Sequence, residues 1–176
     1  SSDERSAVRE VTLCLIREGY RRVLFLHDTV TYSCRQKLTG YRDAHIIAGQ
    51  TTDEALIYPV SNDPDAVTAA VAALLKEGAV FDAVVAVKDE QAIGAQKALA
   101  AAGRTVPVVG FNNSLPSRCS TPTLTSIDNA LPQMCRTALH MLDDLLEKKK
   151  VTTHAIIPAR LVERESYHRK KGEDTL

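Results

Sequence analysis

Between residues 81 and 128 the chain sets apolar runs that end abruptly in polar groups beside a stretch of helical period, and that order leaves few folds open. It reads Phe-Asp-Ala-Val-Val-Ala-Val-Lys-Asp, then Glu-Gln-Ala-Ile-Gly-Ala-Gln-Lys-Ala-Leu, then Val-Pro-Val-Val-Gly-Phe-Asn-Asn-Ser. A short, continuous apolar run is what a strand buried on both faces requires. Its polar end marks the carboxyl terminus, where open α/β sheets bind ligands. Two such ends in succession predict a polar, ligand-reading edge.

The alternation continues through the rest of the chain. Ala7, Val8, Val11, Leu15 and Ile16 fall near helical spacing and predict a helix over 3–18, stopped by Gly19. A strand over 23–26 ends in His27, Asp28 and Thr29, and a helix follows over 35–48. A strand over 55–60 leads to Asn62-Asp63-Pro64, which starts a helix over 65–77. A strand over 83–87 precedes a helix over 90–102 capped by Asp89, and another strand occupies 106–110. Residues 115–122, rich in Ser and Pro, read as a loop, and 124–127 as a short extended piece. Asn129 is the expected cap of a helix over 131–149, whose three closing lysines suit the negative end of its dipole. A last strand over 156–162 contains Pro158, and the charged tail 167–176 reads as solvated. This order predicts an α/β domain built on a doubly wound parallel sheet.

Composition narrows the function. At 176 residues and 44% hydrophobic, the chain suits one substantial core. Lysine plus arginine number 22 and aspartate plus glutamate also 22, which argues against direct DNA binding by this piece. The apolar runs are far too short to cross a bilayer, and the polar start Ser-Ser-Asp-Glu-Arg resembles no secretory signal, so a cytoplasmic protein without membrane contact is expected. Cys14, Cys34, Cys119 and Cys135 are scattered, with no Cys-x-x-Cys pair and no histidine at ligand spacing. They are expected to be reduced packing residues, and neither a metal nor a cofactor is expected. No Gly-x-Gly-x-x-Gly follows a strand, and no phosphate loop or Gly-x-Ser-x-Gly elbow is present, which makes a small α/β enzyme a distant alternative.

Several segments, in their order, resemble the effector-binding core of the LacI/GalR family of bacterial transcription regulators. They are Leu-Ile-Arg-Glu-Gly-Tyr-Arg-Arg-Val at 15–23, Lys-Leu-Thr-Gly-Tyr-Arg-Asp-Ala at 37–44, Gln-Ala-Ile-Gly-Ala at 91–95, Val-Gly-Phe-Asn-Asn-Ser at 109–114, Pro-Thr-Leu-Thr-Ser-Ile at 122–127 and Leu-Val-Glu-Arg-Glu-Ser at 161–166. The Phe-Asn-Asn-Ser piece is most similar to the maltose-type members. The resemblance implies a periplasmic-binding-protein-like core of type I, in which two lobes close on a sugar or related small effector. Residues 1–166 would form mainly the C-terminal lobe, with the helix over 131–149 belonging to the first lobe, most of which would precede Ser1. It also implies a homodimer that binds operator DNA through an N-terminal domain this chain does not contain. A periplasmic sugar-binding lobe is the alternative within the same architecture.

The resemblance also singles out effector-binding residues. The family commonly holds effector hydroxyls with an arginine three residues before the glycine at Gly40. Lys37 stands at that spacing, and Arg35 is close by. Lysine is a flexible point charge where arginine is a planar fork, so recognition is either looser or shifted to Arg35; the plainer reading of both is a solvated helix face. Lys88 aligns with an effector-contacting position but also suits a carboxylate partner. Asp89 reads equally well as a helix cap. Asn112 matches the ligand-facing aspartate after Gly-Phe, and an amide, which donates and accepts, suits sugar hydroxyls without burying a charge. Its plainer reading is a turn residue, a role that fits Asn113 better. His27 and Asp28 are expected to line the cleft or bond within their loop. Three departures stand out: Pro64 falls where many members place an aromatic, Cys135 replaces a usual glycine, and the entry to the strand at 107–108 is several residues short, through either a tight loop or a missing stretch.

Overall fold

A computed structural model describes residues 1–29, 31–149 and 154–167. Its helices are α1 (Glu4–Arg17), α2 (Tyr32–Ile47), α3 (Pro64–Lys76), α4 (Asp89–Ala101), α5 (Leu115–Cys119) and α6 (Leu131–Leu146). Its strands are β1 (Val23–His27), β2 (Ile57–Pro59), β3 (Ala83–Ala86), β4 (Val108–Phe111), β5 (Thr125–Asp128) and β6 (Arg160–Val162). They form one sheet in the order β2-β1-β3-β4-β5-β6. Strands β1 to β5 are parallel, and β6 runs antiparallel to β5.

Alternate residues of each strand enter opposite layers. Val23, Phe25, Val85, Val109 and Phe111 pack with Val8, Val11, Leu15 and Tyr41 from α1 and α2. Leu24, Leu26, Val84, Ala86 and Val108 pack with Val67, Val71, Ala95 and Leu99 from α3 and α4. Burial on both sides is why these strands carry no polar alternation. Each layer also needs one close helix approach. A Cβ on Gly40 of α2 would lie 2.2 Å from the carbonyl oxygen of Arg5 in α1, and one on Gly94 of α4 would lie 2.6 Å from the Val67 Cβ in α3.

Several expectations need correction. Residues 54–56 form a 3-10 turn, not the start of β2, because the Asp53 side chain accepts the Ala55 N–H and closes a local turn. The expected loop at 115–122 contains α5, with Pro116 in its first turn. Asn129 does not cap α6; the cap position is Ala130, held at φ 54° while its N–H donates to Asp128 Oδ1. The last strand is β6 alone, three residues long and antiparallel, while Ile157 makes an isolated parallel bridge with Ser2. Cys34 is buried and Cys14 partly so, but Cys119 and Cys135 are exposed and fill no core. At the short connection, Arg104 N–H donates to Leu99 O at the end of α4 and Pro107 O accepts from Val84 N–H of β3. Tyr167, at the head of the tail expected to be solvated, is buried with the α1 layer, and the tail from His168 onward lies outside the described residues.

His45, in the last turn of α2, is 3% exposed and stands edge-on to Tyr41 with ring centroids 4.7 Å apart. Burial holds its imidazole below the ordinary 6.5, against a smaller opposing effect of the nearby Gln50 side chain. The unfolded chain therefore binds this proton more readily than the folded one, so the contribution of a neutral His45 is complete above pH 6.5 and is lost as the pH falls below it. Unfolding in urea between pH 7.5 and 5.5 is expected to show stability falling with acid, and His45→Leu to flatten that slope. An unchanged slope in the variant would show that His45 does not carry it.

Candidate functional site

Strand β1 has β2 on one side and β3 on the other, so the chain leaves β1 in one direction and returns in the opposite one. At such a reversal the loops after the two strands diverge and leave a crevice at their carboxyl ends. Asp28, just after β1, and Lys88, just after β3, meet at those strand ends as an ion pair, with Lys88 Nζ 2.6 Å from Asp28 Oδ2. Burial pushes the Asp28 carboxyl up. Hydrogen bonds from Lys88 and Asn62, with the lysine charge, outweigh this and hold it below the ordinary 3.8. Asn62 is tied to α4 in turn, since Gln91 Nε2 donates to its Oδ1 at 3.3 Å. Lys88→Met is expected to move the Asp28 titration upward, as followed by carboxyl NMR; an unmoved titration would remove Lys88 as the cause.

Lys37 joins this group from α2. It is 5% exposed, donates to Val87 O at 3.2 Å, and lies 3.8 Å above the centre of the Phe111 ring, with Glu4 Oε1 3.7 Å away. Burial lowers its pKa, and Glu4, Cys34 and Asp28 oppose that shift. A cation over an aromatic face with a carbonyl and a carboxylate beside it is well held. Because Val87 precedes Lys88 and Phe111 precedes Asn112, Lys37 bridges the two strand ends that carry the expected contacts.

Asn112 follows β4 at φ 104° and Asn113 at φ 50°, so the chain turns sharply there. The Asn112 side chain is exposed at the rim, where its Oδ1 accepts from Asn129 Nδ2 at 3.2 Å. Asn113 faces inward. Its Nδ2 donates to Asp128 Oδ2, and its Oδ1 accepts from the Arg164 guanidinium. Asp89 corrects the expected cap: α4 starts at Asp89 itself, with Lys88 in the cap position and no side-chain cap bond. The Asp89 carboxylate is 0% exposed and accepts from Ser126 Oγ at 2.6 Å and from Ser114 N–H and Oγ at 2.7 Å each. Burial raises its pKa against these donors.

Lys88 and Asn112 thus stand at the carboxyl ends of β3 and β4, Lys37 is nearly buried behind them over the Phe111 ring, and Asp89 is buried against Ser114 and Ser126. Arg35 lies on the exposed side of the first turn of α2. Pro64 opens α3 with its carbonyl against Gly94. Sequence reasoning missed Asn129 as a rim amide, having assigned it to a cap. It also missed Tyr32, which is 68% exposed and lines a concavity of about 320 Å³ with Glu4, Ser33, Gln36, Met134 and His154. The signal for Tyr32 was its place just after Thr31, whose side chain caps α2 by accepting the Cys34 N–H. Among the described residues no group of three or more His, Cys, Asp or Glu side chains is placed to hold a metal ion.

Residues 13–167 match the family described as periplasmic binding protein-like domain. The chain belongs to that family. The HTH-type transcriptional regulator CelR of Thermobifida fusca is 32% identical over 161 residues, covering 88% of this chain and 45% of the regulator. A sugar-binding transcriptional regulator of the LacI family from Escherichia coli, solved with phosphate, superposes with a TM-score of 0.86 at 27% identity, over 96% of this chain and 62% of that one. A CelR–cellobiose complex gives a TM-score of 0.84 at 28% identity, over 94% and 53%. This periplasmic-binding-protein-like chain therefore matches the effector-binding region of LacI-type regulators and spans less than half of its curated CelR relative. No helix among the described residues is long and apolar enough to cross a membrane.

Proposed function

We propose that this chain is the effector-sensing part of a cytoplasmic, dimeric LacI-type transcription regulator. In this reading it binds a sugar without transforming it, and the complete protein carries a DNA-binding domain on a preceding segment. The observation that carries the reading is the rim itself: the Asp28–Lys88 pair at the chain reversal, Lys37 bridging to Phe111, and the Asn112–Asn129 amide pair. Paired charges and amides offer donors and acceptors in fixed directions, which is what hydroxyl recognition needs. The cellobiose in the related CelR complex supports a saccharide.

Asn112, Lys88 and Lys37 are the proposed contacts, Arg35 flanks them, and Tyr32 supplies an aromatic face that Pro64 does not. Asp89 acts beneath the rim. The facing wall is a first lobe outside this chain, and α6 belongs to it: none of the residues of α6 is buried here, and Leu139, Leu142 and Leu145 stand exposed. An effector that prefers one arrangement of the lobes shifts their equilibrium and with it the affinity for operator DNA. The test is operator release by the complete protein across a panel of mono- and disaccharides. Release by one sugar that is recovered unchanged supports the reading; turnover of that sugar would replace it with an enzyme.

A further inference from the structure

We propose that Asp89 is the positioning residue of the rim: working through Ser114 and Ser126, its carboxylate holds the Asn112–Asn113 turn in its left-handed backbone and so fixes where the Asn112 amide points. That the fixed amide meets an effector rests on the function proposed above; the clamp itself does not.

Two consecutive asparagines at positive φ form a conformation that residues with a Cβ keep only when their surroundings impose it. The surroundings here converge on Asp89. Asn113 N–H donates to Ser126 Oγ at 2.9 Å, and the same hydroxyl donates to Asp89 Oδ1 at 2.6 Å. Ser114 N–H and Oγ–H both reach Asp89 Oδ2 at 2.7 Å. The amides of Asn113 and Ser114 are therefore fixed by one carboxylate, the second directly and the first through one hydroxyl. Gly110 lets the carboxylate approach, since a Cβ there would lie 2.3 Å from Asp89 Oδ1. From the other side Arg164 takes the Asn113 side chain and also donates to Leu124 O at 2.6 Å. With Asn113 held by Arg164 and its amide by Ser126, Asn112 is the turn residue left facing outward. A carboxylate suits this task because it accepts several donors at once and offers none.

The experiment is residue-resolved amide hydrogen exchange on the 176-residue chain, wild type against Asp89→Asn, Ser114→Ala and Ser114→Thr. Asp89→Asn turns an amide donor toward one of these groups and is expected to speed exchange at Asn113 and Ser114 at least tenfold, while the amides of β1 stay protected. Ser114→Ala, which removes one donor and threatens the fold less, is expected to speed the same two amides by a smaller factor; Ser114→Thr restores the hydroxyl and the protection. Protection unchanged at Asn113 and Ser114 in both Asp89→Asn and Ser114→Ala would overturn the clamp, as would loss spread evenly over the sheet in Ser114→Ala. A parallel titration of the complete protein with cellobiose and the same panel of mono- and disaccharides separates the two ideas. Faster exchange with about tenfold weaker saccharide binding in Asp89→Asn supports both. Faster exchange in a protein whose wild type binds no sugar supports the clamp and refutes the sugar reading.

Discussion

Gly40→Ala is expected to lower the stability of the fold by about 3 kcal/mol, the upper part of the usual range for forcing an atom into a packed core. The added Cβ would stand 2.2 Å from Arg5 O and 3.1 Å from Arg9 N, both backbone atoms of α1, so no side-chain rotation relieves it. Either α1 or α2 must move outward and loosen Val8, Val11 and Tyr41, which pack on β1 from that layer. Gly103→Ala is the comparison. Gly103 has φ +63° with nothing within 4 Å of an added Cβ, so its cost is confined to backbone strain of about 1 kcal/mol. Urea unfolding of the two variants measures the difference. A Gly40→Ala protein as stable as Gly103→Ala would mean that the two helices are not pressed together as described.

Leu142→Glu is expected to behave oppositely in two settings. In the 176-residue chain Leu142 is 51% exposed on a helix with no buried residue, so a charge there is expected to change stability by less than about 0.5 kcal/mol. In the complete protein, where α6 is proposed to pack on the first lobe, the same change removes a buried leucine and buries a charge, for a loss of about 3 kcal/mol or more. Thermal unfolding of both forms decides this. Equal, small effects in the two would detach α6 from the first lobe.

The parts of the fold legible in the sequence were those whose residues carry the signal locally. β1, β3 and β4 are buried on both faces, and that burial forces the unbroken apolar runs that announce them. α1 and α3 show their period and their glycine stops. The rest depended on partners remote in sequence or too brief to show a pattern. The apolar Ala55 and Leu56 looked like strand because the turn they occupy is made by the Asp53 side chain. The five residues of α5 are fewer than two helical turns, and its Pro and Ser content suits a loop as well as a helix start. The direction of β6 follows from pairing with β5, about 34 residues earlier at Ile127 and Leu161, and no local feature sets it.

The site divides the same way. Lys88 and Asn112 were visible as polar tips on apolar runs. That Lys88 would meet Asp28, 60 positions away, or Asn112 meet Asn129 was not. Asp89 was visible as an effector contact or a helix cap and not as a clamp, because its partners Ser114 and Ser126 lie 25 and 37 residues further on.

In the proposed function, these groups grip a small polar effector at the chain reversal. Calorimetric titration of the complete protein with cellobiose and a panel of related saccharides, for the wild type and for Asn112→Ala and Lys88→Met, tests it most directly. At least one saccharide is expected to bind the wild type, and each substitution to weaken that binding at least tenfold with the thermal midpoint nearly unchanged. Wild-type affinity retained in both variants would contradict it.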